Sequence, residues 1–299
     1  VYAGMVEAMD FHIGRLVDYL KARGEYGNTL FIFTSDNGAE ASGPADPDEF
    51  AARRMSTSLG YTTDYETLGL KGSYSTISPS FASAAASPLA YYKFYAGEGG
   101  MRVPLIVAGE TLPQKGVLSR AFSFVTDITP TILSFAGVRP PDERYGGRPV
   151  EPMIGRSLAP VLLTDAERVY GPEDTVGYEL AGHAALFKGD YKIVYNRSPL
   201  GDDRWQLFNI VEDPGESRDL ASNRPGRFQQ MLSAYERYTR DNMVLPIPPG
   251  YDHRKQLMLN TLHAGVREPF LVLILLVLLL LPFYVANRMK KASIHRTIR

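Results

Sequence analysis

The chain has 299 residues, enough for one large domain or for two smaller ones that each bury a core. Its 32 basic and 33 acidic residues nearly cancel, so the composition predicts no nucleic acid partner. The chain has no cysteine, which excludes disulfides, thiolate metal ligands and a cysteine nucleophile within these residues.

The first predicted elements are a helix and a buried strand. Residues 1 to 23 place apolar side chains three and four positions apart and stop before Gly24, as in an amphipathic helix with a glycine cap. The run "TLFIFTS", residues 29 to 35, is rich in β-branched and aromatic residues and predicts a strand. This order favours an α/β fold with a largely parallel sheet flanked by helices. Because the chain opens on a helix at Val1 without an initiator Met or a signal peptide, we expect a fragment.

The middle of the chain alternates between irregular and regular segments. Residues 39 to 80 are rich in small and polar residues without periodicity, which predicts a long surface excursion. A short strand is predicted at 102 to 110, and a helix at 126 to 138 with Pro130 in its first turn. We assign residues 1 to 172 to the partial α/β domain.

A different pattern begins near residue 173. Short runs of β-formers, separated by Gly-Asp and Asp-Pro-Gly turns, predict a small antiparallel subdomain over residues 173 to 242. A closing helix is predicted at 225 to 241, with Pro225 at its start. Residues 243 to 268, which include "VLPIPPG", are typical of a linker.

The end of the chain predicts a single-pass membrane anchor. Residues 270 to 286, "FLVLILLVLLLLPFYVA", carry no charge and are just long enough to cross the hydrocarbon core, although a buried core helix is the alternative. We place a transmembrane helix in contact with lipid at 269 to 287 and a basic tail at 288 to 299. The positive-inside rule puts that tail in the cytoplasm and the main domain in the periplasm or another extracytoplasmic space.

The first candidate site follows the predicted strand 29 to 35. Asp36 and Asn37 offer a carboxylate and an amide oxygen, which are ligands that Ca²⁺ or Mg²⁺ prefers. In an open parallel sheet, ligands bind beyond the carboxyl ends of the strands. Asp-Asn-Gly is equally common in simple turns, so the trio alone leaves both interpretations open.

The second candidate is Lys93 in "YYKFYAGEGGMRVP", five residues ahead of a Glu-Gly-Gly turn. A lysine beside a divalent metal suits a tetrahedral anion, because its charge neutralises oxygens that the metal leaves exposed. The alternative is a solvated loop lysine, and Lys71 in "LKGSY" is a chemical rival.

Several motifs in this order resemble the type I sulfatase family. "YAGMVEAMDFHIGRLVDYLKARGEYGNTLFIFTSDNGAE", Lys93 before "EGGMRVPLIV", and "DITPTILSFAGV" are similar to the carboxyl-terminal two-thirds of its catalytic domain. "GYELAGHAALFKGDYKIVY" and "WQLFNIVEDPGESRDLA" are similar to the small carboxyl-terminal subdomain of bacterial arylsulfatases. The resemblance covers about residues 1 to 242 and implies an alkaline-phosphatase-like fold.

The resemblance also implies a site. The family holds Ca²⁺, with Mg²⁺ less suitable, through two pairs of side chains, and Asp36 and Asn37 match the second pair. Lys93 matches the lysine that contacts the substrate sulfate, whereas Lys71 has the wrong distance to the Glu-Gly-Gly turn. His12 and His183 match no catalytic histidine, so we expect structural roles for both.

The chain departs from the family at the nucleophile. The family uses a formylglycine made from the first residue of Cys/Ser-x-Pro/Ala-x-Arg, and neither Ser42 nor Ser78 stands in that frame. The formylglycine and the first Asp pair are therefore expected upstream of Val1, and the chain alone is expected to be inactive. The resemblance implies a sulfuric ester hydrolase that cleaves sulfate monoesters. Alternatives are a phosphate or phosphonate ester hydrolase of the same superfamily, or a non-catalytic membrane-anchored module that binds sulfated ligands or Ca²⁺.

Overall fold

The computed structural model describes residues 1–41 and 57–252, together with residues 255–256, 259–260, 274 and 276–282. The chain divides into one compact unit over Val1–Val244 and a second over Leu245–Arg299. The proposed boundary between the α/β domain and the carboxyl-terminal subdomain, at residue 172, lies inside the first unit and stays a prediction.

The amino-terminal helix and strand form where the sequence predicts them. Helix α1 spans Tyr2–Ala22, and strand β1 spans Phe31–Thr34 after a single 3-10 turn. Strand β2, Leu105–Ala108, pairs with β1 in antiparallel register, with Phe31 opposite Ala108. The expectation of parallel pairing is wrong for these two strands. It rested on the helix-to-strand order alone, and the long connection from β1 to β2 lets the second strand run in either direction.

Helix α1 is amphipathic but exposed along its whole length. None of its residues is buried, and side chains of its predicted apolar stripe, such as Met5 and Leu16, are 66% and 51% exposed. The periodicity therefore predicts the helix correctly, but no described element covers its apolar face.

Short helices and turns connect the α/β strands to the carboxyl-terminal sheet. Part of the predicted excursion, residues 42–56, lies outside the described residues. The remaining elements are α2 (Ser78–Ala86), α3 (Glu98–Met101), α4 (Ile128–Phe135), a hairpin of β3 (Arg144–Tyr145) and β4 (Arg148–Pro149), and α5 (Ala159–Leu163). Helix α4 confirms the helix predicted around Pro130.

The carboxyl-terminal subdomain is the antiparallel meander that its turn signals predict. Its four strands lie in the order β5-β6-β7-β8 and all neighbours pair antiparallel. The helix α6 closes the subdomain. The bounds are β5 Thr175–Leu180, β6 His183–Lys188, β7 Tyr191–Asn196, β8 Arg204–Asn209 and α6 Pro225–Asp241.

The core lies on the two faces of this four-stranded sheet. One face, which we call the helix face, packs against α6. The other, which we call the loop face, packs against Ala96 and its surroundings. The helix-face cluster comprises Leu186, Ile193, Leu207, Leu220, Met231 and Ala234. The loop-face cluster comprises Ala96, Ala185, Phe187, Val194, Phe208 and Ile210. Since side chains alternate along a strand, β6, β7 and β8 each supply buried residues to both clusters, whereas the residues of β5 are partly buried or exposed.

The predicted anchor, 269 to 287, lies largely outside the described residues, and the basic tail lies wholly outside them. None of the helices that the structure describes combines the length and the apolarity needed to cross a membrane.

Candidate functional site

The Asp-Asn-Gly loop directly follows β1. The Ser35 hydroxyl donates to the Asn37 carbonyl oxygen at 2.8 Å, and Asn37 Nδ2 donates to the Gly38 carbonyl oxygen at 2.9 Å. The second bond uses the side-chain nitrogen of Asn37, so its Oδ1 is the atom that can serve as a metal ligand. The neighbouring Asp36 is exposed. Both side chains therefore suit a hard cation that approaches from the open side of the loop.

This loop packs on the Glu-Gly-Gly turn through glycine backbone. The Gly38 amide donates to the Gly100 carbonyl oxygen at 2.9 Å. A Cβ atom at Gly38 would lie 1.9 Å from the Gly99 carbonyl oxygen, so no larger residue fits there. The close approach of the two loops explains why glycine stands at both.

Lys93 lies beside the same loop. Its backbone amide donates to the Ala39 carbonyl oxygen at 3.1 Å, so the two segments singled out in the sequence are neighbours. The Lys93 ammonium forms an ion pair with Glu40 and lies 5.6 Å from the centre of the Phe94 ring. The side chain is 30% exposed, so an anion could reach the ammonium in competition with Glu40.

The other candidates occupy different places. Lys71 is exposed on a turn whose Ser73 amide donates to the Leu70 carbonyl oxygen. His12 is exposed on α1, with Nδ1 3.0 Å from Arg15 Nη1. His183 is buried, and its Nδ1 accepts from the Arg197 amide at 3.2 Å. These environments suit structural roles for both histidines.

The segment from Tyr91 to Arg102, which we call the Lys93 loop, is tightly constrained. Tyr91 and Phe94 adopt left-handed conformations, with φ of 67° and 79°, which non-glycine residues rarely do. A Cβ atom at Gly97 would lie 2.5 Å from Tyr91 Cδ2, and one at Gly99 would lie 2.2 Å from the Tyr91 carbonyl oxygen. Glycines at these positions let the loop fold tightly on itself.

Sequence reasoning missed a charge cluster in which two residues of this loop meet two residues of the carboxyl-terminal subdomain, and the side chains of all but Arg102 are buried. Lys192 Nζ lies 2.9 Å from Glu98 Oε1 and 2.8 Å from Glu216 Oε1, and Arg102 Nε lies 2.9 Å from Glu98 Oε2. We call these four residues the Glu98 cluster. Burial raises the pKa of Glu216, and the nearby Lys192 ammonium opposes that rise. A signal was present in the sequence, since a lysine in the middle of the apolar strand "YKIVY" needs a buried partner.

Only part of a metal site is found in the described residues. Within them, no group of three or more His, Cys, Asp or Glu side chains could hold an ion. Asp36 and Asn37 have the right chemistry for Ca²⁺, but they supply two donors to an ion that takes six to eight oxygens. The donor set therefore fits a cation that other groups help to bind.

A separate cavity of about 410 Å³ lies between β5, β6 and α6. Two of its cationic side chains are already paired, Arg156 with Asp174 and Lys188 with Glu173. None of the predicted site residues lines it.

Comparisons with known proteins show similarity to sulfatases. The Sulfatase family model matches residues 1–138. An uncharacterized sulfatase of Schizosaccharomyces pombe is 34% identical over 255 residues, which is 84% of this chain and 45% of that protein. The arylsulfatase of Klebsiella aerogenes is 33% identical over 162 residues, 54% of this chain and 34% of that protein. The chain thus spans less than half the length of these relatives.

The fold is also similar to solved structures. One, a protein in complex with its substrate D-glucosamine-2-N,6-O-disulfate, superposes with a TM-score of 0.51 at 21% identity. The match covers 79% of this chain and 39% of the other. This likeness supports the predicted α/β fold of the alkaline-phosphatase-like type.

Proposed function

We propose that this chain, which belongs to the type I sulfatase family, contributes one side of the active site of a sulfuric ester hydrolase. The observation that carries the proposal is the joining of two loops. The Gly38–Gly100 and Ala39–Lys93 backbone hydrogen bonds join the segment that carries the two candidate metal ligands to the segment that carries Lys93. A divalent cation beside a lysine is suited to a sulfate or phosphate ester, whose transferred group carries charged oxygens.

Asp36 and Asn37 would hold Ca²⁺ in this proposal. Their carboxylate and amide oxygens match the preference of Ca²⁺ for hard oxygen donors, and the family resemblance favours Ca²⁺ over Mg²⁺. When bound, the ion would polarise the sulfate ester as a Lewis acid. The remaining ligands and the formylglycine nucleophile would come from residues that these 299 positions do not contain.

Lys93 would contact the sulfuryl oxygens. The side chain is partly exposed and pairs with Glu40, so a sulfate ester would replace one anionic partner with another. A positioned cation stabilises charge that develops on the transferred group as the leaving oxygen departs. Because the chain belongs to the sulfatase family, the proposed substrate is a sulfate monoester rather than a phosphate ester.

We also propose that the protein is attached to a membrane through residues 269 to 287, with its hydrolase domain outside the cytoplasm. The uncharged run "FLVLILLVLLLLPFYVA" and the basic residues that follow it support this topology. Protease added outside intact cells should then cut the hydrolase domain and spare the tail. Protection of both regions would contradict the topology.

The activity is tested with the protein expressed from its complete gene. We expect release of 4-nitrophenol from 4-nitrophenyl sulfate at a much higher kcat/KM than from 4-nitrophenyl phosphate. A reversed preference would favour the phosphate or phosphonate ester hydrolase, and no turnover of either ester would favour the non-catalytic binding module. These 299 residues by themselves should be inactive, because Asp36 and Asn37 supply only two of the oxygen ligands that Ca²⁺ takes and the family resemblance puts the other pair upstream.

The metal ligands are tested in the same protein. Chelation should abolish sulfate release, and Ca²⁺ should restore it. Asp36→Ala should remove the Ca²⁺ dependence together with the activity, since the carboxylate is the charged ligand of the pair. Asp64→Ala, which changes an exposed carboxylate in another loop, is the control. Unchanged turnover of Asp36→Ala would contradict the metal assignment.

A further inference from the structure

Lys192 is a charged residue in the middle of a buried strand. Its side chain is 0% exposed, and the alternation of side chains along β7 puts it on the loop face together with Val194. A buried ion pair is weak evidence for stability, because a well-packed apolar side chain of similar size often stabilises a core as well or better. The position of Lys192 therefore calls for a role beyond filling the core.

Lys192 contacts the Glu98 side chain directly and is linked to the Glu98 backbone through Glu216. Its ammonium bonds to Glu98 Oε1 and to Glu216 Oε1. The second oxygen of Glu216 accepts the Glu98 backbone amide at 2.8 Å. Glu98 is thus held at two points, and Lys192 links them. Strand β7 binds the loop at a second point, where Asn196 Oδ1 accepts a hydrogen bond from the Ala96 amide at 2.8 Å.

We infer that Lys192 is a positioning residue: through Glu98 and Glu216 it fixes the Lys93 loop on the carboxyl-terminal sheet and so places the Lys93 ammonium. The inference rests on the proposed function, in which Lys93 contacts the substrate sulfate. Lys192 itself touches neither the proposed metal ligands nor Lys93 through any contact that the structure describes. Its action is indirect.

The Lys93 loop transmits this constraint because it has little freedom to absorb a shift. Only four residues separate Lys93 from Glu98, and one of them, Phe94, is held in a left-handed conformation. Gly97 has no room for a Cβ atom. A displacement of Glu98 therefore moves the backbone that carries Lys93.

The same cluster also affects the proposed metal ligands. Gly100 follows Glu98 by two residues, and its carbonyl oxygen accepts the Gly38 amide next to Asn37. Loosening of the turn would thus disturb the support of Asp36 and Asn37 as well as the placement of Lys93. Lys192 in the carboxyl-terminal subdomain would thus help to position both Lys93 and the proposed metal ligands.

Hydrogen exchange tests this inference without any reference to catalysis. In the protein expressed from its complete gene, Lys192→Met should speed amide exchange in the Lys93 loop by about tenfold or more, because the loop opens locally once its ties are lost. The matched control is Lys188→Met. Lys188 is a buried lysine on the neighbouring strand β6, and its ion pair among the described residues is with Glu173, outside the Lys93 loop. Equal loop exchange in the two variants would overturn the inference.

Kinetics test the functional consequence. Lys192→Met should lower kcat/KM for 4-nitrophenyl sulfate by roughly tenfold to a hundredfold, the scale of a misplaced catalytic group. It should also weaken inhibition by inorganic sulfate. Lys188→Met should leave both values near those of the wild type, and Lys192→Arg, which keeps the charge, should restore part of the loss. A wild-type kcat/KM in Lys192→Met would overturn the inference.

A substitute variant and a separate readout cover the cases in which Lys192→Met does not fold or the protein is inactive. If Lys192→Met fails to fold, Glu216→Gln removes one arm of the cluster while keeping its size, and its loop exchange decides in the same way. If the wild-type protein hydrolyses no sulfate ester, the proposed function fails, and hydrogen exchange then decides separately whether Lys192 fixes the loop.

Discussion

The amino-terminal helix and the carboxyl-terminal sheet both carry apolar faces, but only the faces of the sheet are buried within the described residues. All six residues of β6 are buried, and both faces of its sheet are covered within this chain. Helix α1 has an equally clear apolar pattern, yet none of its residues is buried. The comparison shows that an apolar pattern specifies which face of an element is to be covered but does not specify what covers it.

The candidate site combines residues of the amino-terminal part with a loop that packs on the carboxyl-terminal sheet. Asp36 lies exposed at the end of a strand in the amino-terminal part, whereas the Lys93 loop packs on the buried sheet. The buried sheet thus supports the loop that carries the proposed sulfate contact. Substitutions in the two regions should therefore differ in their effect on the free energy of unfolding.

The largest effect is expected in the core of the sheet. Leu186→Ala should lower the free energy of unfolding by about 2–5 kcal/mol, since Leu186 is 0% exposed and its removal leaves a cavity. Leu16→Ala, on the exposed face of α1, should change it by less than about 0.5 kcal/mol. Urea unfolding measures both. A similar loss in the two variants would mean that α1 is covered in solution.

A smaller effect is expected where the two loops touch. Gly38→Ala should lower the free energy of unfolding by about 1–3 kcal/mol, because the new Cβ would overlap the Gly99 carbonyl oxygen. Gly4→Ala is the control, because a Cβ atom there meets nothing within 4 Å. It should stabilise the protein by up to about 1 kcal/mol, since alanine restricts the unfolded chain. Thermal unfolding distinguishes the two, and a neutral Gly38→Ala would contradict the described contact.

The ion pair between Arg156 and Asp174 should contribute less to the free energy of unfolding. Arg156 binds both oxygens of Asp174, at 2.5 and 2.7 Å. These bonds and the Gly171 amide hold the pKa of Asp174 below its ordinary value. The contribution is therefore present above the unfolded-state pKa and is lost as the pH falls through the lowered folded-state pKa.

Because both side chains of this pair are partly exposed, Asp174→Asn should cost at most about 1 kcal/mol at neutral pH. Asp202→Asn breaks a more exposed pair with Arg204 and should cost less. Urea unfolding at neutral and acidic pH measures the difference. A cost for Asp174→Asn that persists at low pH would rule out the electrostatic explanation.

The smallest effect is expected at Glu179, which accepts a hydrogen bond from the Tyr235 hydroxyl. Burial raises the pKa of Glu179, so the wild-type protein loses stability as the pH rises through that raised value. Glu179→Gln should be more stable than the wild type at neutral pH and equally stable below the ordinary glutamate pKa. Glu236→Gln, at an exposed position on α6, should show no such pH-dependent difference.

Local patterns account for the parts of the structure that the sequence predicts correctly. The Gly189–Asp190 turn and the Pro225 helix start are short-range signals, and the meander and α6 form where they indicate. Strand direction was predicted wrongly for β1 and β2, because it depends on pairing across a long connection. Residues 94 positions apart form the Glu98–Lys192 pair, and no local period signals which carboxylate a buried lysine will meet.

The proximity of Lys93 to the Asp-Asn-Gly loop could be predicted only in part from local patterns. Spacing within each segment was informative, but their contact depends on backbone hydrogen bonds between distant parts of the chain. The resemblance to sulfatases supplied the reason to expect it.

The central claim is that Lys93, held beside Asp36 and Asn37, is the lysine that contacts the sulfate. The most direct measurement compares Lys93→Ala with Lys71→Ala in the protein expressed from its complete gene, using 4-nitrophenyl sulfate. Lys93→Ala should lower kcat/KM by a factor that corresponds to a loss of about 2–4 kcal/mol of transition-state stabilisation, the contribution of a preorganised donor. Lys71→Ala should have the kcat/KM of the wild type. A loss confined to Lys71→Ala, or none in Lys93→Ala, would contradict the claim.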